Sequence, residues 1–346
     1  TGYALPRGAG RPPFSPYCAP RLPMSEISCL YVRLPNWVGD VCMSLPSLRT
    51  LQAAGLPLVI CARPWARDLL DGVDKREFLP MLGKVGPDRA TVAAHRRTLG
   101  AQARHSRGLL LPDSLSSALV FRLAGVPSAG YRDDGRSFLV RWPVAKPAAA
   151  LHAVQAWHYL TRAALGRWGL PTGPAEPGPT LDLPLTPAHQ DAAALALEAA
   201  GLAGQRFVLI APTATGLHRG KVKVWPGFDT LTRALQARGH TVVMCPPPAE
   251  TDEARRNAPT AQLLAPLSLG AFAALTARAA LVICNDSGVS HVAAAAGARE
   301  LTLFGVTRPG RTGPWSPRAV CVGSETAWPS NAQVEQQACQ LLDHLQ

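Results

Sequence analysis

The chain has 346 residues, of which 47% are hydrophobic and 17% charged, and its formal net charge is +12. These values exclude wholesale disorder and allow two ordinary domains with a sizeable core. No uncharged apolar run approaches the roughly 18 to 20 residues that span a bilayer. The eight cysteines form no CxxC pair, which argues against a zinc site or a redox motif and favours a reducing cytoplasm.

The first 23 residues differ from the rest of the chain. Residues 1–23 contain six prolines, three arginines and no acidic residue, and they lack the apolar stretch of a signal peptide. Met24 follows directly, just before the first predicted strand. We predict that residues 1–23 form a disordered extension and that Met24 is the natural start.

Predicted strands alternate with predicted helices from there on. Apolar runs predict strands at 27–33, 57–62, 108–111, 207–211, 240–245, 280–284 and 301–304. Helical patterns lie between them, at 90–104, 114–124, 188–200, 228–238 and 287–296. Such alternation implies parallel sheets with right-handed crossovers. A stretch rich in Pro and Gly, 171–187, divides the series. The prediction is therefore an α/β protein with two Rossmann-like domains, 24–170 and 188–330, and a ligand site in the cleft between them.

Basic residues concentrate in the first half of the chain. Residues 1–187 carry 22 Lys and Arg against 12 Asp and Glu, whereas residues 188–346 carry 13 against 11. A run of charge is usually a solvated face, but it also suits an acidic partner. No basic stripe is interleaved with aromatic residues, so nucleic acid is not the expected partner.

Two acidic corners follow predicted strands of the first half. In LPNWVGD, Asp40 stands beside Gly39 at a strand-to-helix corner, where an aspartate either caps the helix or points into a cleft and accepts a proton. The residues alone leave both readings open. In LPDS, Asp113 and Ser114 begin a predicted helix, a pattern that favours simple capping.

Two stretches in the second half of the chain have the features of a phosphate-binding site. The loop APTATGLHRGKVKVWP combines small residues, which let backbone N–H groups approach an anion, with His218, Arg219, Lys221 and Lys223. It matches neither a Walker A motif nor GxGxxG. In NDSGVSH, a helix N-terminus suited to pyrophosphate carries Ser287 and His291 on one face. An Asp/Ser cap with an incidental histidine is an equally good reading of that motif.

Taken together, LPNWVGD, KVWP, NDSGVSH and GVTRPGRTGPW resemble, in order and spacing, the ADP-heptose:lipopolysaccharide heptosyltransferases of glycosyltransferase family 9. The heptosyltransferase II branch is the most similar, through its WVGD corner and the stretch from Leu111 to Pro127. The resemblance implies the two-domain GT-B fold, with the acceptor in the amino-terminal domain and the nucleotide sugar in the carboxyl-terminal one. It also implies that a final helix, within 331–346, returns to the amino-terminal domain.

The resemblance assigns roles to individual residues. Asp40 is the expected general base, shielded from water by Trp37 and Val38. The donor ADP-L-glycero-D-manno-heptose is expected at Thr213, Lys223, Asp286, Ser287, Gly288 and His291. The acceptor is expected at Arg96, Arg97, Asp113, Ser114 and Arg132. No cofactor or dedicated metal site is expected, although a divalent cation fits the chemistry.

The resemblance also implies partners and a location. The acceptor is the acidic heptosyl-Kdo2-lipid A of the lipopolysaccharide inner core, so a monomer at the cytoplasmic face of a Gram-negative inner membrane is expected. Two features depart from the family pattern: the loop before Lys223 is long, and Arg308 stands where many relatives have an acid. Both leave the identity of the sugar open. A degenerate binding protein and a dinucleotide-dependent oxidoreductase are the alternatives, the latter disfavoured because no GxGxxG follows a predicted strand.

Overall fold

Two parallel sheets, each covered by helices, form the protein. The computed structural model describes residues 27–133, 135–215, 217–218 and 220–343, without the side chains of Leu217, His218 and Lys221. The predicted extension therefore lies outside the described residues, as do Arg219 and the side chains of His218 and Lys221 that the phosphate-loop reading invoked. None of the helices in the described ranges is long and apolar enough to cross a membrane.

The first sheet is built from the amino-terminal half. Its strands lie in the order β3-β2-β1-β4-β5-β6, and all of their pairings are parallel. The strands are β1 (Cys29–Arg33), β2 (Leu58–Ala62), β3 (Glu77–Pro80), β4 (Ser106–Leu110), β5 (Ser128–Tyr131) and β6 (Trp142–Val144). The helices are α1 (Val38–Met43), α2 (Leu45–Ala53), α3 (Ala66–Leu69), α4 (Val85–Thr98), α5 (Leu115–Leu123) and α6 (Ala153–Arg167).

The second sheet repeats this topology. Its order is β11-β10-β7-β12-β13-β14, again parallel throughout. The strands are β7 (Phe207–Ala211), β10 (Thr241–Met244), β11 (Gln262–Leu263), β12 (Leu281–Asn285), β13 (Glu300–Phe304) and β14 (Ala319–Gly323), with a small hairpin of β8 (Leu217–His218) and β9 (Lys221–Val222). The helices are α7 (Pro187–Ala199), α8 (Phe228–Ala237), α9 (Thr251–Asn257), α10 (Leu269–Arg278), α11 (Gly288–Ala295), α12 (Pro309–Thr312) and α13 (Asn331–Asp343).

The strand order places the ligand sites. In both sheets the order reverses beside the first strand of the unit, between β1 and β4 and between β7 and β12. Open parallel sheets bind ligands at this switch point, outside the carboxyl ends of the strands. The segments that follow these four strands carry Asp40, in the first turn of α1, and Asp113, Thr213 and Asp286, in loops.

Apolar side chains cover both faces of each sheet. Central strands such as β1 and β12 are buried throughout their length, which is typical of parallel sheets with helices on both sides. One core cluster of the first unit also contains Ala273, Val292 and Ala295 of the second. The two units therefore share buried surface where α1 meets α11.

The predicted α/β class and all seven predicted strands are present, but the last helix lies elsewhere than expected. Helix α13 packs on α8 and buries Val334, Ala338 and Leu342 in the second unit's core. Arg206 and Arg299 donate to the carbonyl oxygens of Leu342 and Leu341 at its carboxyl end. The expectation that this helix returns to the amino-terminal domain was wrong for the described part, because its apolar stripe is used by the second sheet.

Candidate active site

A cavity of about 770 Å³ opens at the carboxyl edge of the first sheet and is walled by both units. The first unit contributes Asp40, Asp113 and Lys146, and the loop around α12 contributes Arg308 and Arg311. Its lining also includes Tyr131, Ala156, Trp157 and Thr312. A space of this size between two nucleotide-fold units is a good candidate for a substrate site.

Asp40 lies in the first turn of the short helix α1 and faces this cavity. Burial raises the pKa of its carboxyl group to about 6, because a partly desolvated carboxylate is less stable than a hydrated one. The helix N-cap is Trp37, which makes no side-chain cap, and no hydrogen bond or ion pair joins Asp40 to another described side chain. The capping reading is therefore excluded for Asp40, and the carboxylate is available to a ligand.

The shielding of Asp40 differs from the sequence prediction. Trp37 is 75% exposed and points into solvent, so its expected role as a shield was wrong. Val38 is half-buried and packs on the shared core. Asp40 is desolvated by burial at a cavity that both units wall.

His291 packs against α1, the helix that carries Asp40. Its ring stands so close to Gly39 that a Cβ on Gly39 would lie 2.4 Å from His291 Cδ2. Burial lowers the pKa of His291 to about 3, with the charges of His152 and Lys223 acting in the same direction. His291 is therefore neutral, and it lines neither of the two larger cavities. A neutral imidazole has no positive charge with which to stabilise a phosphate.

A second cavity, of about 310 Å³, lies at the switch point of the second sheet. Thr213 follows β7, and Ser287 and Gly288 begin α11, so three predicted donor residues line it together. Its other walls are mostly apolar: Pro212, Ala214, Pro246, Pro247, Leu267, Leu269, Phe272 and Val289. Glu250, which also lines the cavity, accepts a hydrogen bond from Thr213 Oγ1. An apolar slot beside a helix N-terminus suits a nucleoside with its phosphates.

Lys223 and Asp286 lie close together, each directly after a strand, β9 and β12. Lys223 Nζ lies 3.9 Å from Asp286 Oδ2, and Thr307 donates to the same oxygen at 2.5 Å. Asp286 is buried, whereas the Lys223 side chain is 22% exposed. Asn285, fully buried, accepts from the N–H of Trp225 and donates to the carbonyl of Thr213. Asn285, at the end of β12, thus holds in place both the loop that carries Thr213 and the segment that carries Lys223.

The predicted acceptor residues are only partly brought together. Asp113 lines the larger cavity, where Lys146 Nζ lies 2.7 Å from Asp113 Oδ2 and 3.1 Å from Asp133 Oδ2. Ser114 caps α5 by accepting from the Ser117 N–H, and Arg132 is exposed one residue beyond the cavity-lining Tyr131.

Arg96 and Arg97 are not at the cavity. They lie in the last turn of α4, and Arg96 donates to the carbonyl oxygen of Ala103, ahead of β4. This is the amino edge of the first sheet, opposite to the strand ends that form the site. Because the chain had no predicted strand at Glu77–Pro80, the direction of α4 could not be assigned from sequence.

Four cavity residues were missed by the sequence reading. Lys146 follows β6, a three-residue strand containing Pro143 that no apolar run reveals. Trp157, which donates to the Leu111 carbonyl, and Arg311 carry no local pattern. Glu250 could have been predicted from the sequence, because it follows the predicted strand at 240–245 and ligands bind beyond strand ends.

A contact between the units closes the larger cavity on one side. His152, the N-cap of α6, donates from Nε2 to the carbonyl oxygen of Gly313 at 2.9 Å. Its Nδ1 accepts from the Val154 N–H, which fixes the tautomer. Across the described ranges, no group of three His, Cys, Asp or Glu side chains could hold a metal ion.

Comparisons with known proteins agree with this geometry. The profile of the family described as glycosyltransferase family 9 (heptosyltransferase) matches residues 92–342. The lipopolysaccharide heptosyltransferase 2 of Escherichia coli strain K12 is 28% identical over 308 residues, covering 82% of this chain and 85% of that protein.

Solved structures show the same fold. The E. coli ADP-heptose lipopolysaccharide heptosyltransferase II superimposes with a TM-score of 0.73 at 24% identity, over 91% of this chain and 99% of that one. The E. coli heptosyltransferase WaaC with ADP gives 0.70 at 20% identity, over 90% and 99%. The predicted GT-B arrangement of two facing Rossmann-like units is confirmed.

Proposed function

Because the chain belongs to glycosyltransferase family 9, we propose that this glycosyltransferase moves heptose from ADP-L-glycero-D-manno-heptose to the inner core of lipopolysaccharide. Heptosyl-Kdo2-lipid A is the proposed acceptor, as the relatives named heptosyltransferase 2 suggest. The observation that carries the proposal is Asp40, an unpaired and desolvated carboxylate at the wall of a cavity shared by both units.

The donor's nucleotide occupies the cavity of about 310 Å³. Its apolar walls take the base, and the first N–H groups of α11, beside Ser287 and Gly288, face the phosphates. Lys223 adds a positive charge within reach of Asp286, and it stabilises the charge that develops on the departing ADP. A divalent cation is not needed for this arrangement, since the lysine and the helix N-terminus supply the positive charge.

Asp40 acts as the general base. An acceptor hydroxyl that attacks the anomeric carbon must lose its proton as the C–O bond forms, and the carboxylate accepts it. The bond to ADP breaks on the opposite face of the sugar, through an oxocarbenium-like state, so the anomeric centre inverts. A pKa of about 6 leaves Asp40 ionised at neutral pH and a stronger base than an ordinary aspartate.

The acceptor occupies the larger cavity. Arg308 and Arg311 line it and present positive charge to the carboxylates and phosphates of an acidic inner core, whereas Lys146, also in the lining, pairs with Asp113 and Asp133. Arg308 is held in place by Glu325. These residues replace Arg96 and Arg97 as the expected acceptor contacts. The enzyme then works as a monomer at the cytoplasmic face of the inner membrane, where such an acceptor is presented.

The proposal is tested by measuring ADP release from ADP-heptose with defined inner-core acceptors. We expect turnover with heptosyl-Kdo2-lipid A and none with a core that lacks the first heptose. A thermal-shift comparison of ADP, UDP and NAD identifies the nucleotide class, with ADP expected to stabilise the protein most. Stabilisation by NAD together with no sugar transfer would overturn the proposal in favour of an oxidoreductase.

A further inference from the structure

Exposed apolar side chains gather at one edge of the first sheet. Among the described residues, eight large hydrophobic side chains are more than a third exposed. Three of them lie a few residues beyond carboxyl ends of strands: Trp37 four residues after β1, Leu82 two residues after β3, and Leu115, the first residue of α5, five residues after β4, with exposures of 75%, 53% and 49%. Phe138, 76% exposed, lies on the connection that leaves the carboxyl end of β5.

The topology sets these side chains on one surface. The strands β3, β1, β4 and β5 all run parallel in a single sheet, so the loops after them emerge at the same edge. Large apolar groups in water are unfavourable, and a group of them on one edge usually marks an interaction site.

The charges at this edge are basic. Lys84, two residues after Leu82, and Arg132, directly after β5, are both exposed. Of the described acids nearby, Asp88 is buried and accepts from the N–H groups of Leu82 and Gly83. Asp113 and Asp133 pair with Lys146. Exposed apolar side chains beside exposed cations are the combination that binds an anionic lipid surface.

We propose that Trp37, Leu82, Leu115 and Phe138, with Lys84 and Arg132, form a membrane-docking edge that inserts into an anionic lipid bilayer. The choice of a bilayer rests on the lipid-borne acceptor of the proposed function. The docking edge adjoins the acceptor cavity, because Asp113 and Tyr131 line that cavity and lie next to Leu115 and Arg132 in the chain. The sugar headgroup of a lipid-borne acceptor therefore reaches the cavity while its acyl chains stay in the bilayer.

The test is co-sedimentation of the full chain with vesicles of phosphatidylglycerol and phosphatidylethanolamine that contain neither donor nor acceptor. The double variant Leu82→Ser/Leu115→Ser is compared with Leu123→Ser/Leu195→Ser. The control leucines are equally exposed, at 53% and 64%, but Leu123 lies at the far end of α5 and Leu195 on α7. We expect the docking-edge variant to lose at least about ten-fold in partitioning and the control less than about two-fold.

A second set of experiments changes the charge of the protein, the salt concentration and the lipid composition of the vesicles. Lys84→Gln/Arg132→Gln and a rise in salt should each weaken binding to anionic vesicles, and phosphatidylcholine vesicles should bind weakly at any salt. Transfer to a water-soluble, deacylated acceptor should be unchanged in Leu82→Ser/Leu115→Ser, while the apparent KM for an acceptor in vesicles should rise.

Several results would overturn the docking edge. The proposal would be wrong if both double variants lost vesicle binding equally. It would also be wrong if the unaltered chain did not bind anionic vesicles. A dimer that Leu82→Ser/Leu115→Ser dissociates, without vesicle binding, would assign the surface to a second copy of the chain. Loss of vesicle binding on deleting residues 1–23, with the docking-edge variant unaffected, would assign binding to that segment. Because the vesicles contain no substrate, each of these outcomes leaves the proposed sugar transfer intact, whereas inactivity with a soluble acceptor counts against the transfer alone.

Discussion

Gly39 and His291 are packed against each other across the boundary between the two units. A Cβ at residue 39 would lie 2.4 Å from His291 Cδ2 and 3.0 Å from its Cγ, closer than real Cβ contacts. Gly288 stands in the same contact, where its Cβ would meet Val38 at 3.2 Å. Glycines at these two positions let α1, which carries Asp40, approach α11, which begins at the donor cavity. A single helix contact thus holds the proposed base in register with the proposed donor site.

Gly39→Ala should lower the free energy of unfolding by about 1–3 kcal/mol, the usual cost of overpacking. Transfer should fall as well, because the clash displaces Asp40 from the donor. The measurements are the melting temperature and ADP release. Gly86→Ala is the control, since nothing lies within 4 Å of its Cβ position in α4, and alanine is the better helix former there. Failure of the second change His291→Ala to relieve part of the Gly39→Ala defect would contradict this packing account.

Lys223→Ala should raise the apparent KM for the donor and slow transfer. The lost charge-assisted contact with phosphate costs about 1.5–3 kcal/mol, equivalent to roughly 10-fold to 150-fold in affinity. Titration of ADP by calorimetry checks this directly. Arg233→Ala removes a cation from an exposed pair with Asp229 in the same unit and should leave ADP affinity unchanged. If the Lys223→Ala variant bound ADP as tightly as the unaltered protein does, another cation would have to contact the phosphates.

Much of the architecture was predictable because its elements are regular. The seven predicted strands are predominantly apolar runs, and two of them, 27–33 and 207–211, lead into loops whose composition suggests a site. The missed strands are short or interrupted: β6 contains Pro143, and β14 is half exposed at the edge of its sheet. The missed strand β3 hid the direction of α4, and the missed strand β6 hid the position of Lys146, so fewer residues of the larger cavity were predicted than of the smaller one.

The exposure of Trp37 and the neutrality of His291 were not predictable for a different reason. Both depend on how the two units meet, and no local pattern encodes a contact between residues 39 and 291. The family resemblance supplied the role of Asp40, whereas the absence of a cap and the raised pKa needed coordinates.

Glu300→Gln should stabilise the protein at alkaline pH. Glu300 is fully buried on β13, and burial raises the pKa of its carboxyl group well above the ordinary value of 4.5. A raised pKa means that stability is complete below the unfolded value and is lost as pH rises towards the folded one, by up to about 1.4 kcal/mol per pH unit. Denaturant unfolding at pH 4.5 and pH 8 should therefore show a gain for the variant only at pH 8. Glu198→Gln, an exposed change on α7, is the control, and an equal gain at both pH values would refute the linkage.

The pH dependence of kcat/KM should follow Asp40. A general base works only when ionised, and the pKa of Asp40 is about 6, so activity should fall as pH decreases through about 6 and level off above it. An ordinary aspartate would place this limb near 4. The profile is measured by ADP release under subsaturating acceptor, with the melting temperature recorded at each pH to exclude unfolding.

Substitution of Asp40 by asparagine tests the central claim most directly. Asp40→Asn keeps the size of the side chain and breaks no hydrogen bond seen in the structure. Turnover, ADP affinity and melting temperature are measured together, with the exposed change Asp71→Asn as control. The account predicts that ADP affinity and melting temperature stay unchanged while transfer falls by roughly 10²–10⁴-fold. A folded, ADP-binding Asp40→Asn protein with full transfer activity would contradict it.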